Sequence, residues 1–137
     1  MATIGAVRTA LATRLATISG LTVYETVPAA PVAPCVMIRP ETGDFDVTMA
    51  SGQDLARFEV TLLAMSLGSA WDVAQDKLDG YLARSGSGTI RGAIQGDVTL
   101  GGTCHTSRVL GWRDYGTLAY AGSEFLGARL TVETWPT

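Results

Sequence analysis

His105 is the single histidine of the chain, and Cys104 stands directly before it. A thiol next to an imidazole is the raw material of a nucleophile–base pair, provided the two side chains can hydrogen-bond. The flanking text reads as strand, however, and neighbouring side chains of a strand point to opposite faces, so the backbone holds this pair apart. Cys35 lies far away, and neither cysteine belongs to a CxxC pattern. Without carboxylates these residues cannot supply a four-ligand zinc site. Both thiols are expected to be reduced and packed in strands. A disulfide between them stays open as the alternative.

The segment "ETGDFDVTMASG" brings together Glu41, Asp44 and Asp46, oxygen ligands of the kind calcium takes. Counted from Asp44, an EF-hand loop needs glycine at the sixth position and glutamate at the twelfth. Met49 and Leu55 stand there instead. The glycines at 86, 88 and 92 are one residue too wide for the dinucleotide fingerprint, and they follow a helix where that motif follows a strand. No P-loop and no GxSxG elbow occurs. No catalytic, cofactor-binding or metal-binding residue is therefore assigned, and a non-enzymatic protein without cofactor is expected.

Composition narrows the rest. The chain has 137 residues, enough for one domain spanning 1–137. Hydrophobic residues make up 47% and charged ones 17%, the latter below the usual quarter, which suggests that part of the surface is covered by something else. A net charge of −3, a single lysine (Lys77) and scattered arginines argue against a phosphate-held nucleic-acid binder. No apolar run approaches the ~18 residues of a membrane span. The first 24 residues carry Arg8 and Arg14 and no acid, as transit peptides do, but a domain helix is the expected reading.

That helix follows from Ile4, Val7, Leu11, Leu15 and Ile18 at spacings of three and four, with Thr3 as cap and Gly20 as stop. Residues 21–27 read as a strand and the proline-rich 28–34 as an extended connector. Residues 35–39 read as a second strand closed by Pro40, and 41–53 as a long loop. In 54–65, Phe58, Val60, Leu62 and Ala64 alternate with Arg57, Glu59, Thr61 and Leu63, a strand with one covered face. The period then lengthens over 69–86: a capping-box-like Ser69–Asp72 start, a face of Trp71, Ala74, Leu78, Tyr81 and Leu82, Arg84 in the last turn and Gly86 as stop. Ile90 and Ile94 mark a short, weak helix.

The C-terminal text predicts a hairpin with arms Cys104–Arg113 and Glu124–Trp135 and a connector Asp114–Ser123. In the second arm Leu126, Ala128, Leu130 and Val132 face inward. The fold class is thus α+β: a mostly antiparallel twisted sheet with helices packed on one face and a long C-terminal β-hairpin. A twelve-residue arm spans roughly 40 Å, as wide as a compact domain of this size. Either Gly111 and Gly127 bend the arms as bulges, or their ends project into a neighbour.

Three stretches together, "AQDKLDGYLARSGSGTIRGAI", "TLGGTCHTSRVLGWRDYG" and "YAGSEFLGARLTVETW", resemble the tail terminator proteins of long-tailed, siphovirus-like bacteriophages. The order of the N-terminal helix, the proline-rich connector and the loop after "CVMIRP" agrees, so the likeness covers about residues 3–135. The resemblance implies a virion structural protein at the tail–neck junction, assembled in the host cytoplasm. It would form a ring, typically of six, that caps the tail tube, ends its polymerisation and offers a surface to the head-completion protein. Its partners would be copies of itself, the major tail tube protein and a neck protein. Genomic DNA would pass through the ring without being read.

Asp44, Phe45 and Asp46 of the loop, and Arg113, Tyr115 and Tyr120 of the hairpin connector, are the expected partner-interface residues, since aromatics and arginine anchor interfaces. Deleting 44–50 should leave a folded chain that no longer caps tubes. Another head–tail connector or tube-like ring subunit is the alternative, separable by its copy number at the neck. A small enzyme or carrier using Cys104 or the acidic loop is a third reading, which Cys104→Ser would test through loss of an activity.

Overall fold

A computed structural model describes residues 2–47, 53–66 and 71–137. It is an α+β fold with three helices and one five-stranded mixed sheet, of strand order β1-β2-β3-β5-β4. In chain order the elements are α1 (Ile4–Leu15), β1 (Thr22–Tyr24), β2 (Cys35–Asp44), β3 (Leu55–Ser66), α2 (Trp71–Leu82), α3 (Ile90–Gln95), β4 (Cys104–Tyr120) and β5 (Ser123–Pro136).

Local chemistry explains most of the boundaries. Thr3 caps α1, its Oγ1 accepting from the Ala6 N–H at 3.1 Å. Gly20, at φ +79°, turns the chain into β1 only after a further turn beyond the helix end. Thr89 caps α3 in the same way through Gly92 N–H, at 3.1 Å. The acidic Asp72 lies in the first turn of α2, where it favours the helix dipole. Ser69, expected to open that helix, lies outside the described residues.

Alternation along the strands sorts side chains into two sets. Val36, Ile38, Phe58, Val60, Leu62, Leu126, Ala128, Leu130 and Val132 form one buried cluster, joined by Val7, Leu11 and Leu15 of α1, Ala74 and Leu78 of α2, and Ile90 and Ile94 of α3. Each Val, Leu, Ile or Phe side chain among them contributes about 1.5–3 kcal/mol on burial, so this apolar face is the principal core. The intervening residues Arg39, Arg57, Glu59, Thr61, Arg129, Thr131 and Glu133 form a charged face. At one end of it Cys35, Met37, Leu63, Leu118 and Phe125 make a second, small apolar cluster, against which Tyr24, Ala33 and Tyr120 pack.

Several expectations need correction. β1 covers only Thr22–Tyr24, not 21–27, and it runs parallel to β2. Pro40 does not close β2, which continues to Asp44 opposite Leu55. Beyond Met37 no strand lies on the outer side of β2 among the described residues, and the register shifts between Pro40 and Thr42. An outer edge with a bulge is where a strand tolerates a residue without an N–H. The loop of 41–53 therefore shrinks: Val47 N–H meets Gln53 O at 2.9 Å, and residues 48–52 lie outside the described set. Trp71 is exposed instead of joining the buried face of α2, and Arg84 falls just past that helix's end.

The hairpin differs most. Asp114–Ser123 is not a connector: β4 runs unbroken to Tyr120, and only Ala121 and Gly122, at φ +53° and +76°, form the turn. Positive φ at both positions is the geometry of a tight two-residue hairpin turn. Register shifts follow Cys104, Val109 and Arg113, with Gly111 at φ +154° and Gly116 at φ +155°. These bulges absorb the extra length of β4. The arms do not project as free ends either. β3 accompanies β5 from Thr134 to Phe125, leaving only the turn and its flanks beyond Ser66.

Candidate functional site

The charged face is built by residues from four strands. Glu59 is only 7% exposed, and its carboxylate accepts from Arg113 at 2.8 Å and Arg39 at 3.0 Å, with Arg129 Nε at 3.6 Å. Glu133, 5% exposed, is held by Arg57 at 2.9 Å and Arg108 at 3.3 Å. Arg57 also reaches Asp44 at 3.6 Å, and Arg113 reaches Glu41 at 3.6 Å. Strand pairing dictates these contacts: Arg39 faces Glu59, Arg57 faces Glu133, and Arg108 faces Glu133 from the other side. Cross-strand opposite charges are the ladder's unit of stabilisation.

Arg129 closes the ladder toward the hairpin turn. Burial weakens its charged form, but bonds to the Tyr120 hydroxyl at 3.3 Å and Asp114 at 3.2 Å outweigh that and raise its pKa. A pocket of about 370 Å³ lies here, lined by Met37, Arg39, Glu59, Asp114, Tyr120 and Arg129. Its arginines are already matched by carboxylates, so it is close to neutral.

The six expected interface residues fall into three places. Arg113 and Tyr120 belong to the charged face, half-buried and bonded as described. Tyr115 lies on the other side of β4, where its hydroxyl donates to Asp79 of α2 at 2.8 Å and its ring tilts against Trp112 at 5.9 Å between centroids. Its phenol pKa is raised by burial and then by the bond to Asp79, with Asp76 behind it. Asp44, Phe45 and Asp46 stand at the far end of β2. Phe45 is 85% exposed, Asp46 has φ +52°, and its N–H donates to Asp54 Oδ1 at 3.1 Å.

A second exposed apolar region centres on Trp112, a hairpin aromatic that was not among the expected interface residues. Trp112 is 55% exposed and Leu110 44%, both on β4. With Tyr81 and Leu82 of α2, and with Arg84 and Arg91 at the rim, they line a cleft of about 350 Å³. Arg91 donates to the Arg84 carbonyl at 3.0 Å, and neither arginine pairs with a carboxylate among the described residues. The signal was there to find: Leu110, Gly111 and Trp112 break the alternation of their strand.

The thiols occupy different clusters, Cys35 the small one and Cys104 the main one, and both are free. Burial pushes the Cys35 thiol up to about 11. It also raises Cys104, partly offset by Thr103. A nucleophilic cysteine needs the opposite shift. Cys104 is buried and His105 exposed, as adjacent strand residues should be. No group of three or more potential metal ligands occurs among the described residues. A scan against protein-family models found no match to this chain, and a search of curated proteins found none.

Proposed function

We propose that this chain is a ring-forming virion protein of the tail–neck junction, probed by no catalytic chemistry of its own. Copies of it, expected to number six, close on the tip of a tail tube, end its growth and present a surface to the head-completion protein. The reading includes a twisted sheet with all helices on one face and a long C-terminal hairpin at its edge. The observation that carries it is the placement of exposed aromatic residues at opposite edges of one sheet, Phe45 by β2 and Trp112 on β4. Two unlike patches on opposite edges suit a heterologous contact, which closes into a ring when rotation permits. Low overall charge agrees with a chain that is covered by its neighbours.

The test is an assembly assay in which the purified chain is added to polymerising tube subunits and the tubes are imaged. Tubes of limited length with a ring at one end are expected. Tubes of unchanged length without an added ring would refute the cap.

A further inference from the structure

The cleft beside Trp112 and the tip carrying Phe45 are chemically complementary. The cleft offers apolar walls from Leu110, Trp112 and Tyr81, and at its rim Arg84 and Arg91, unmatched by carboxylates among the described residues. The tip offers an aromatic ring almost fully in solvent between Asp44 and Asp46. By contrast, the arginines of the pocket on the charged face already hold Glu59 and Asp114. Of the α2 carboxylates, Asp79 accepts from the Tyr115 hydroxyl and Asp76 acts on the same phenol, while among the described residues the cleft itself is lined by no carboxylate.

Tip and cleft cannot meet within one chain. β2 and β4 are separated by three ladder steps, β2 to β3 to β5 to β4, or roughly 14 Å at the usual strand spacing. Asp44 leans on Arg57 at 3.6 Å with both side chains substantially exposed, a pair weak enough to rearrange.

We propose that the Asp44–Asp46 tip of one copy docks in the α2–β4 cleft of the next, Phe45 entering beside Trp112 and Leu110 while Asp44 turns from Arg57 toward Arg84 and Arg91. The pairing rests on the ring reading and gives it its mating surfaces. Each copy presents a tip at one edge and a cleft at the other, so the contact propagates head to tail. The buried aromatic supplies the anchor, and the rim charges supply register and encounter rate.

The experiment mixes Val47→Cys chains, which keep Phe45, with Leu110→Cys chains under mild oxidation, the native thiols being buried. A disulfide in the mixture, absent from either variant alone, is expected. Arg84→Glu with Arg91→Glu on the Leu110→Cys chain should lower its yield about tenfold or more, and Asp44→Lys on the other chain should restore part of it. Thermal melts show whether each variant folds; should the reversed pair unfold, the cysteine mixture alone decides.

Self-linked Val47→Cys dimers as the main product would mean a symmetric contact and overturn the docking. So would cross-linking of Val47→Cys to tube subunits but not to Leu110→Cys. Wild-type rings on tubes without the mixed disulfide would overturn the docking and leave the ring reading standing. A wild-type chain that stays monomeric on tubes and in solution would sink both.

Discussion

The two faces of the sheet use the same strands and opposite physics. On one, Phe58, Val60 and Leu62 meet Leu130 and Ala128 and the helix side chains in a close-packed core. On the other, the residues between them, Glu59 and Thr61, sit among arginines. Both faces bury side chains, since Glu59 and Glu133 are nearly as hidden as their apolar neighbours. Yet apolar burial stabilises almost in proportion to area, whereas a buried ion pair roughly cancels its own desolvation and is poor evidence for stability. The apolar face should therefore set the stability of the chain, and the charged face its register and shape.

Phe58→Ala gives the largest expected loss. The ring is wholly buried on the apolar face, and truncation should cost about 3–5 kcal/mol, read as a fall in the urea midpoint. A loss no larger than that of a charged-face substitution would break the comparison.

Gly127→Ala comes next and probes the seam between the faces. A methyl group there would run into the Leu62 carbonyl oxygen, which is backbone and cannot swing away. Overpacking of this kind costs about 1–3 kcal/mol. Glycine in a strand often marks such a close approach. Tolerance of alanine would show that β3 and β5 can part there.

Glu59→Gln should cost less, about 1–2 kcal/mol, although it leaves Arg39, Arg113 and Arg129 without their common carboxylate. The arginines are 27–59% exposed, so solvent moderates the imbalance. The difference from wild type should shrink in 1 M salt, where screening is effective within about 3 Å. A variant more stable than wild type would sharpen the contrast further, marking the ladder as a burden on the monomer.

Legibility in the sequence followed the same division. The period of α1 and the alternation of β3 and β5 were plain because apolar residues recur where the core needs them. Burial of Glu59 and Glu133 was not, because a glutamate in an outward position reads the same whether it meets water or an arginine from a strand far along the chain. Pro40 was taken as a stop because its tolerance depends on an empty outer edge, a property of the assembled sheet. The Ala121–Gly122 turn was hidden because the bulge at Asp114–Gly116 looks like loop text, whereas Gly111 was legible as a possible bulge within its arm. Of the expected interface residues, Asp44, Phe45 and Asp46 were read together because they adjoin in sequence, and they stay together at the end of β2. Arg113, Tyr115 and Tyr120 were treated as neighbours although β4 sends them to different faces, and Trp112 was read only as part of the hairpin.

The smallest effect at neutral pH comes from the thiols, one in each cluster. Well below about pH 8.5 a cysteine is protonated in both folded and unfolded chains, so neither thiol alters stability there. As pH rises, the unfolded chain loses the Cys35 proton first, because the folded thiol is held up to about 11. The unfolded state then binds fewer protons, and stability falls with pH across that interval until the folded thiol also ionises. Urea midpoints measured from pH 8 to pH 10.5 should decline, and Cys35→Ala should flatten the decline. Labelling at pH 8 then compares the faces directly. Cys35 belongs to the small cluster under the proline connector, Cys104 to the main core closed by three helices. Small clusters open locally at lower free energy than a central core. Cys35 should react first and almost independently of low urea, and Cys104 only as the whole domain opens. The reverse order would mean that the charged face, not the apolar one, is the last part of the chain to let go.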